Sequence, residues 1–348
     1  MDVVDFLIDE EVTVLNAMEQ LDKVAKKVLF VINEGRFVAT VTDGDIRRWI
    51  LRKGNLDAKV KEIANYNPKF LYAEEKAKAK EYMKKYSVEA LPILDKERNI
   101  VSVILWNDEQ IESKKNLDIP VVIMAGGQGT RLHPYTKILP KPLIPIGEIP
   151  IAEHIMNRFN KFGCKEFYLI LNHKKNTVKA YFSDIEKSYS VNYVEEEKPL
   201  GTGGGLGLLK GKIVSTFILS NCDILIEEDY EKIYKYHKKM NNLITMVCSL
   251  KNIKIPYGVI EINDKGEIEN IKEKPELVYF VNTGMYFAEP KIIEELEENR
   301  SVEFPDIIKK YKSKGERIGV YPISENSWMD MGQFDEMEKM KRRLEKDE

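Results

Sequence analysis

The densest set of chemically capable residues in this chain lies between Val121 and Gly147. A short apolar run, Val121–Met124, leads through Ala125 into Gly126-Gly127-Gln128-Gly129-Thr130, and Arg131 follows at once. Glycines let a backbone turn tightly and bring its amides up to the oxygens of a polyphosphate. Lys141 comes next, between Pro140 and Pro142, which stiffen its approach. Amides, a guanidinium and an ammonium in one segment suit a polyphosphate ligand. The spacing belongs to neither common phosphate loop, since one needs Gly-x-x-x-x-Gly-Lys-Ser/Thr and the other Gly-x-Gly-x-x-Gly.

Gly-Gly-x-Gly-Thr-Arg-Leu followed by Pro-Lys-Pro closely resembles the signature of the sugar-1-phosphate nucleotidyltransferases. In that family a sugar phosphate attacks the α-phosphorus of a nucleoside triphosphate and pyrophosphate leaves. The phosphate is already an anionic nucleophile near neutral pH, so no general base is needed. The problem is electrostatic, because two anions must meet and charge gathers on the leaving group. Mg²⁺, held by one or two carboxylates with substrate oxygens and water, answers that need. The resemblance implies that Arg131 lies over the β- and γ-phosphates, with the backbone of Ala125, Gly126, Gly127, Gly129 and Thr130 around the nucleotide. It implies that Lys141 neutralises the transferred phosphoryl group. Asp223, in Asn221-Cys222-Asp223, resembles the strand-end Mg²⁺ ligand, with Asn-Cys in place of the more usual glycine. Asp330, in Trp328-Met329-Asp330-Met331-Gly332, resembles the second ligand.

Three later pieces resemble the family's acceptor site. They are Tyr257-Gly258-Val259, a backbone contact to the sugar, Glu273-Lys274-Pro275, and the turn Asn282-Thr283-Gly284. In the second, the glutamate binds sugar hydroxyls and Lys274 the acceptor phosphate. Base choice rests on Glu197-Lys198-Pro199-Leu200-Gly201-Thr202-Gly203-Gly204, a form resembling guanylyltransferases. Gly201, Thr202 and Gly203 let a flat base lie on backbone. A carboxylate can accept from guanine N1–H and the exocyclic amine, whereas adenine has no N1–H. Glu197 takes that role, although it ends an acidic run, Glu195-Glu196-Glu197, in which the acting member stays open.

The elements that must position these groups alternate from Ile119 onward. Apolar runs at Phe167–Leu171, Phe217–Leu219 and Leu243–Ser249 read as strands. Ile151–Phe162, Asn176–Ser188, Asp229–Met240 and the charged tail Glu336–Glu348 read as helices. Such alternation predicts an α/β, Rossmann-like mixed sheet, mainly parallel and covered on both faces. Ligands sit at the carboxyl ends of such strands, where the glycine loop and Asp223 both fall.

Before this domain the chain carries a faint internal repeat. Val28–Ile32 and Arg36–Thr42 flank a turn at Asn33-Glu34-Gly35, and Ala90–Leu94 and Asn99–Leu105 flank another at Asp95–Arg98. Helical segments precede each, near Val12–Lys23 and Glu74–Tyr86. With the stretch Val41–Arg48, this segment resembles a tandem pair of CBS domains, a Bateman module. That resemblance implies a regulatory purine nucleotide whose ribose meets Asp45 beside Thr42, and Asp108 in the second copy, where Leu105 replaces the hydroxyl residue. The alternative is a scaffold that packs a homodimer or the neighbouring domain. Residues 1–115 then form the CBS module, a polar linker runs over Glu112–Asp118, and 119–348 form the nucleotidyltransferase domain.

Composition narrows the partners. The chain has 348 residues, 54 basic against 57 acidic, for a net charge of −3. That balance offers no electrostatic footprint for nucleic acid and no basic amphipathic stretch for a membrane surface. No apolar run approaches the ~18 residues that cross a bilayer. The three cysteines, Cys164, Cys222 and Cys248, are widely spaced, as in a reducing compartment, and a cytoplasmic protein is expected. The layout resembles bacterial guanylyltransferases of the legionaminic-acid pathway, which activate glucosamine 1-phosphate with GTP. A mannose- or heptose-1-phosphate guanylyltransferase, a uridylyl- or cytidylyltransferase, and a non-catalytic nucleotide sensor are the alternatives.

Overall fold

The computed structural model describes residues 3–24, 28–86, 88–105 and 117–347. The chain divides into two compact units, Met1–Ser113 and Lys114–Glu348. The expected linker and Asp108 fall largely or wholly outside the described residues.

The first unit repeats one topology. Leu7–Asp9 pairs parallel with Val28–Asn33, which returns as antiparallel Arg36–Thr42. Glu34 and Gly35 turn that hairpin, both at positive φ (48° and 78°), as a two-residue loop between twisted strands requires. The intervening helix Val14–Val24 buries Val14, Ala17, Leu21 and Val24 on one face. In the second copy Leu71–Tyr72 pairs parallel with Ala90–Leu94, which returns as Ile100–Leu105, and the connection is helical from Ala73 to Tyr86. Leu94 joins the buried cluster of the first copy, with Ile100, Val103 and Leu105 packed against it, so the copies share a core.

The second unit is built on a seven-stranded sheet. Its order is Ser190–Glu195, Glu166–Leu171, Val121–Met124, Phe217–Asn221, Glu276–Ala288, Ile244–Lys254, Ile318–Ile323. The first four strands are mutually parallel, and Ile244–Lys254 is parallel to Ile318–Ile323. Glu276–Ala288 alone runs against both its neighbours. The reason is its connection. Ile244–Lys254 reaches it through the two-stranded ribbon Val259–Ile262 and Ile268–Lys272, a hairpin-like return rather than a helical crossover. Ile244–Lys254 extends five residues past the apolar run that predicted it, paired along its whole length with Glu276–Ala288. Apolar clusters cover both faces of the sheet, one under Ile151–Asn160 and Tyr230–Lys239, the other under Phe304–Ser313. Among the described residues no helix is long and apolar enough to cross a membrane.

Candidate active site

Val121–Met124 is a central strand with Val121, Val122 and Ile123 fully buried. Ala125 continues it by donating its amide to Ile170 (2.9 Å). The strand ends there, and at the next position, Gly126, the space for a side chain is filled. A Cβ there would stand 3.0 Å from Glu196 Oε2 and 3.3 Å from the Asn172 amide nitrogen. Gly129 sits at φ 65°, and a Cβ on it would strike Thr136 at 2.8 Å. Thr136 in turn donates its hydroxyl to the Gly129 carbonyl (2.8 Å), and one 3-10 turn, Thr130–Leu132, carries Arg131. Lys174 Nζ donates to the Ile138 carbonyl (2.8 Å), tying down the stretch that leads to Lys141.

These residues line one wall of a cavity of about 360 Å³. Gly126, Gly127, Gly129, Thr130 and Arg131 line it from the glycine loop, together with Lys141, Gly201, Thr202, Asn221, Cys222 and Asp223. Lys141 Nζ is ion-paired with Asp223 Oδ2. Burial opposes the lysine's charge, and the Asp223 carboxylate outweighs it, so Lys141 is held above the ordinary lysine range. Asp330 does not line the cavity, but it pairs with Ile224 across a short antiparallel ladder, and Met331 donates its amide to the Asp223 carbonyl (2.8 Å). Its own carboxylate accepts from the Gly332 amide (2.6 Å), and Gly332 does line the cavity. Burial and the nearby Asp223 charge raise Asp330, partly offset by Gly332, Lys141 and Arg131. Burial pushes the Cys222 thiol up to about 12, which makes it a neutral wall and no nucleophile.

The acceptor-side residues gather outside this cavity. Ile255 donates to the Pro275 carbonyl (3.1 Å), and a Cβ on Gly258 would stand 2.9 Å from Glu273 Oε2. Tyr257-Gly258 and Glu273-Lys274 are therefore neighbours, with Tyr257 exposed and Lys274 at φ 45°. Thr283 spends its hydroxyl on the Val247 carbonyl (2.7 Å), and Asn282 spends its carboxamide on Tyr286 and the Gly284 amide. Asn282 and Thr283 approach the cavity only through Gly284, which packs on Asn221.

Two residues escape the sequence motifs. Glu197, assigned to the base, is exposed and off the cavity, whereas Glu196 is buried, lines it, and among the described residues leaves Oε1 with no hydrogen-bond partner. Burial raises Glu196 to about 7, with the Leu200 amide pulling the other way. The alternation Val194 in, Glu195 out, Glu196 in was the available signal, and Glu195 does face outward to Lys175 and Lys179. The other residue is Glu303, distant in sequence. Its Oε2 accepts from the Thr202 amide (3.1 Å) and hydroxyl, while Gly203 donates to the Val302 carbonyl (3.0 Å). Gly203 is buried and does not line the cavity. Losing this exposed clasp in Glu303→Ala is expected to cost about 1 kcal/mol of nucleotide binding, a roughly fivefold rise in nucleotide KM. Glu303→Gln, which keeps an acceptor, restores it, and an unchanged KM in the alanine variant would remove the assignment.

A glycine loop, cations and two strand-end carboxylates at the switch of a mixed α/β sheet define a phosphate-handling enzyme of nucleotide-transferring type. Residues 120–347 match the nucleotidyl transferase family, and the chain belongs to it. It is 32% identical over 222 residues to "Bifunctional protein GlmU" of Methanococcus maripaludis, a match over 61% of this chain and 51% of that protein. It is 26% identical over 221 residues to "Probable mannose-1-phosphate guanylyltransferase 2" of Oryza sativa subsp. japonica, 61% of each. The crystal structure of HddC from Yersinia pseudotuberculosis superposes with a TM-score of 0.52 at 25% identity, over 65% of this chain and 99% of that one. The chain thus spans about half the length of the GlmU relative it matches.

Proposed function

We propose that this protein is a Mg²⁺-dependent sugar-1-phosphate guanylyltransferase. It transfers GMP from GTP to a sugar 1-phosphate, with glucosamine 1-phosphate the leading acceptor, and supplies a nucleotide sugar for surface-glycan or nonulosonic-acid synthesis. The observation that carries the transfer is the single cavity joining Arg131 and Lys141 to Asp223, with Asp330 behind it. Arg131 and the amides of Gly126–Thr130 bind the β- and γ-phosphates and stabilise the departing pyrophosphate. Lys141 balances charge at the transferred phosphoryl group, and Lys274 holds the acceptor phosphate. Asp223 and Asp330 fit Mg²⁺, because two adjacent carboxylates repel and no third protein ligand from Asp, Glu, His or Cys stands with them among the described residues. When bound, the ion neutralises phosphate charge. Pyrophosphate release measured for GTP, UTP, dTTP, CTP and ATP against a panel of sugar 1-phosphates tests the assignment. The mannose-1-phosphate guanylyltransferase relative makes mannose 1-phosphate the first competitor.

Guanine is favoured by Glu196 rather than Glu197. An ionised Glu196 accepts from N1–H and the exocyclic amine, and the wrong base leaves a buried carboxylate unpaired. The sign of its pH effect follows. Glu196 is neutral below about 7 in the empty site, so the GTP KM is expected to rise as pH falls through 7. Ionising it there costs stability that is fully present below the ordinary value of 4.5 and is lost as pH rises toward about 7. Glu196→Gln is expected to lower the GTP preference roughly 10- to 100-fold and flatten this profile. UTP used better than GTP by the wild type would sink the base assignment.

We infer also that the first unit is the tandem CBS module, a dimer-forming or nucleotide-sensing partner of the transferase. Thr42 and Asp45 support it by sitting together at the start of helix Asp43–Leu51 as a reciprocal cap, Asp45 N to Thr42 Oγ1 at 3.2 Å and Thr42 N to Asp45 Oδ2 at 2.9 Å. Arg48 pairs with the other Asp45 oxygen, so a ribose must displace existing contacts. A purine nucleotide here is expected to shift activity severalfold, about 1 kcal/mol of coupling. AMP, ADP and GDP added to wild type and to Asp45→Ala test it. Equal responses of the two proteins would leave the module a scaffold.

A further inference from the structure

Asn221 is the first residue of the Asn-Cys pair that precedes Asp223, and the transfer chemistry makes no use of it. It is the last residue of Phe217–Asn221, the strand between the glycine-loop strand and Glu276–Ala288. On one side it is level with Met124. On the other it packs on Gly284, where a Cβ would stand 2.4 Å from Asn221 Nδ2 and 2.9 Å from its Cγ. Gly284 has φ 87°, so the chain keeps a glycine there and the carboxamide lies against its bare α-carbon. The side chain lines the cavity.

The other asparagines of the site are spent. Asn172 donates to the Glu196 carbonyl (3.0 Å), and Asn282 engages Tyr286 and the Gly284 amide. Among the described residues, no protein group hydrogen-bonds the Asn221 carboxamide. Two donors and an acceptor are therefore placed by packing against Gly284, on a residue that lines the cavity. The nucleotide side already has Glu196, the glycine loop and Arg131. Asn221 stands two residues before Asp223 at the end of its strand and packs on Gly284 of the Asn282-Thr283-Gly284 turn.

We infer that Asn221 is a specificity-determining residue for the acceptor, its carboxamide hydrogen-bonding a hydroxyl or amino substituent on the ring of the sugar 1-phosphate. A carboxamide both donates and accepts, so it suits either substituent. It rejects an analogue lacking that group, because a polar pair then goes unmade in a closed site. The inference rests on the sugar-1-phosphate reading of the site.

The test uses the full chain at saturating nucleotide, with the best acceptor and its single-position deoxy analogues. Wild type is expected to lose roughly 10- to 100-fold in kcat/KM on one analogue. Asn221→Ala is expected to lose as much on the parent sugar and to treat parent and that analogue alike, with nucleotide KM unchanged. Asn221→Ser, which keeps a hydroxyl, recovers part of the loss and controls for folding. An alanine variant that discriminates at every ring position as wild type does overturns the inference, as does one in which only the nucleotide KM moves. Wild-type failure with every sugar 1-phosphate would instead overturn the functional reading, and this inference with it.

Discussion

Asp223→Asn is expected to lower kcat roughly 10²–10³-fold or more, the range seen when one preorganised electrostatic group is removed from a transfer site. Asp223 is buried at the strand end, holds Lys141 by an ion pair, and lies beside Asp330. Asparagine keeps the shape and loses the charge. The variant therefore weakens any cation site and leaves Lys141 without its counter-charge. Removing one partner of a buried pair also destabilises a fold, by about 3–5 kcal/mol at the extreme. The measurement is accordingly kcat together with the unfolding midpoint, at graded Mg²⁺ and with chelator. A folded variant turning over near the wild-type rate would remove Asp223 from the metal assignment. Asp330→Asn is expected to follow it in direction.

Arg131→Ala and Lys274→Ala are expected to damage different substrates. Arg131 lines the cavity beside Gly332, within 3.5 Å of where a Cβ on that glycine would stand. Its loss should cost roughly 2–5 kcal/mol against the triphosphate. Lys274 stands with Glu273 and Gly258 at the outer end of the sheet, away from that cavity. Its loss should fall on the sugar-phosphate KM, with the nucleotide KM little changed. Steady-state kinetics with each substrate varied in turn separates the two. Equal damage to both substrates in both variants would end this division of labour.

How much of the site could be read beforehand follows from the range of the forces involved. The glycine loop, Arg131 and Lys141 are close in sequence, and their conformation is dictated locally by positive φ at Gly129 and by the prolines around Lys141. They were legible as a unit. The hairpin at Glu34-Gly35 was legible for the same reason. Glu196 and Glu197 differ by one residue, and a strand turns successive side chains to opposite faces. The alternation inward from Val194 points to Glu196, and the parallel pairing of Ser190–Glu195 with Glu166–Leu171 carries that strand end to the cavity. The Glu303 clasp on Thr202 spans about a hundred residues, and no local pattern announces it.

The amino-acid sequence by itself determined the class of chemistry, the glycine loop and the strand-helix alternation from Val121 to Met240, because period, turn residues and charge spacing are local properties. The strands Ser190–Glu195, Glu276–Ala288 and Ile318–Ile323 and the helix Phe304–Ser313 were not legible in it. Tertiary structure alone decided that Glu276–Ala288 enters the sheet antiparallel, carrying Gly284 against Asn221. It alone decided that Asp330 is brought to Asp223 by the ladder of Ile224–Ile226 with Trp328–Asp330. Strand neighbours are chosen by which apolar faces can be buried together, and that choice belongs to the whole core rather than to any segment of it.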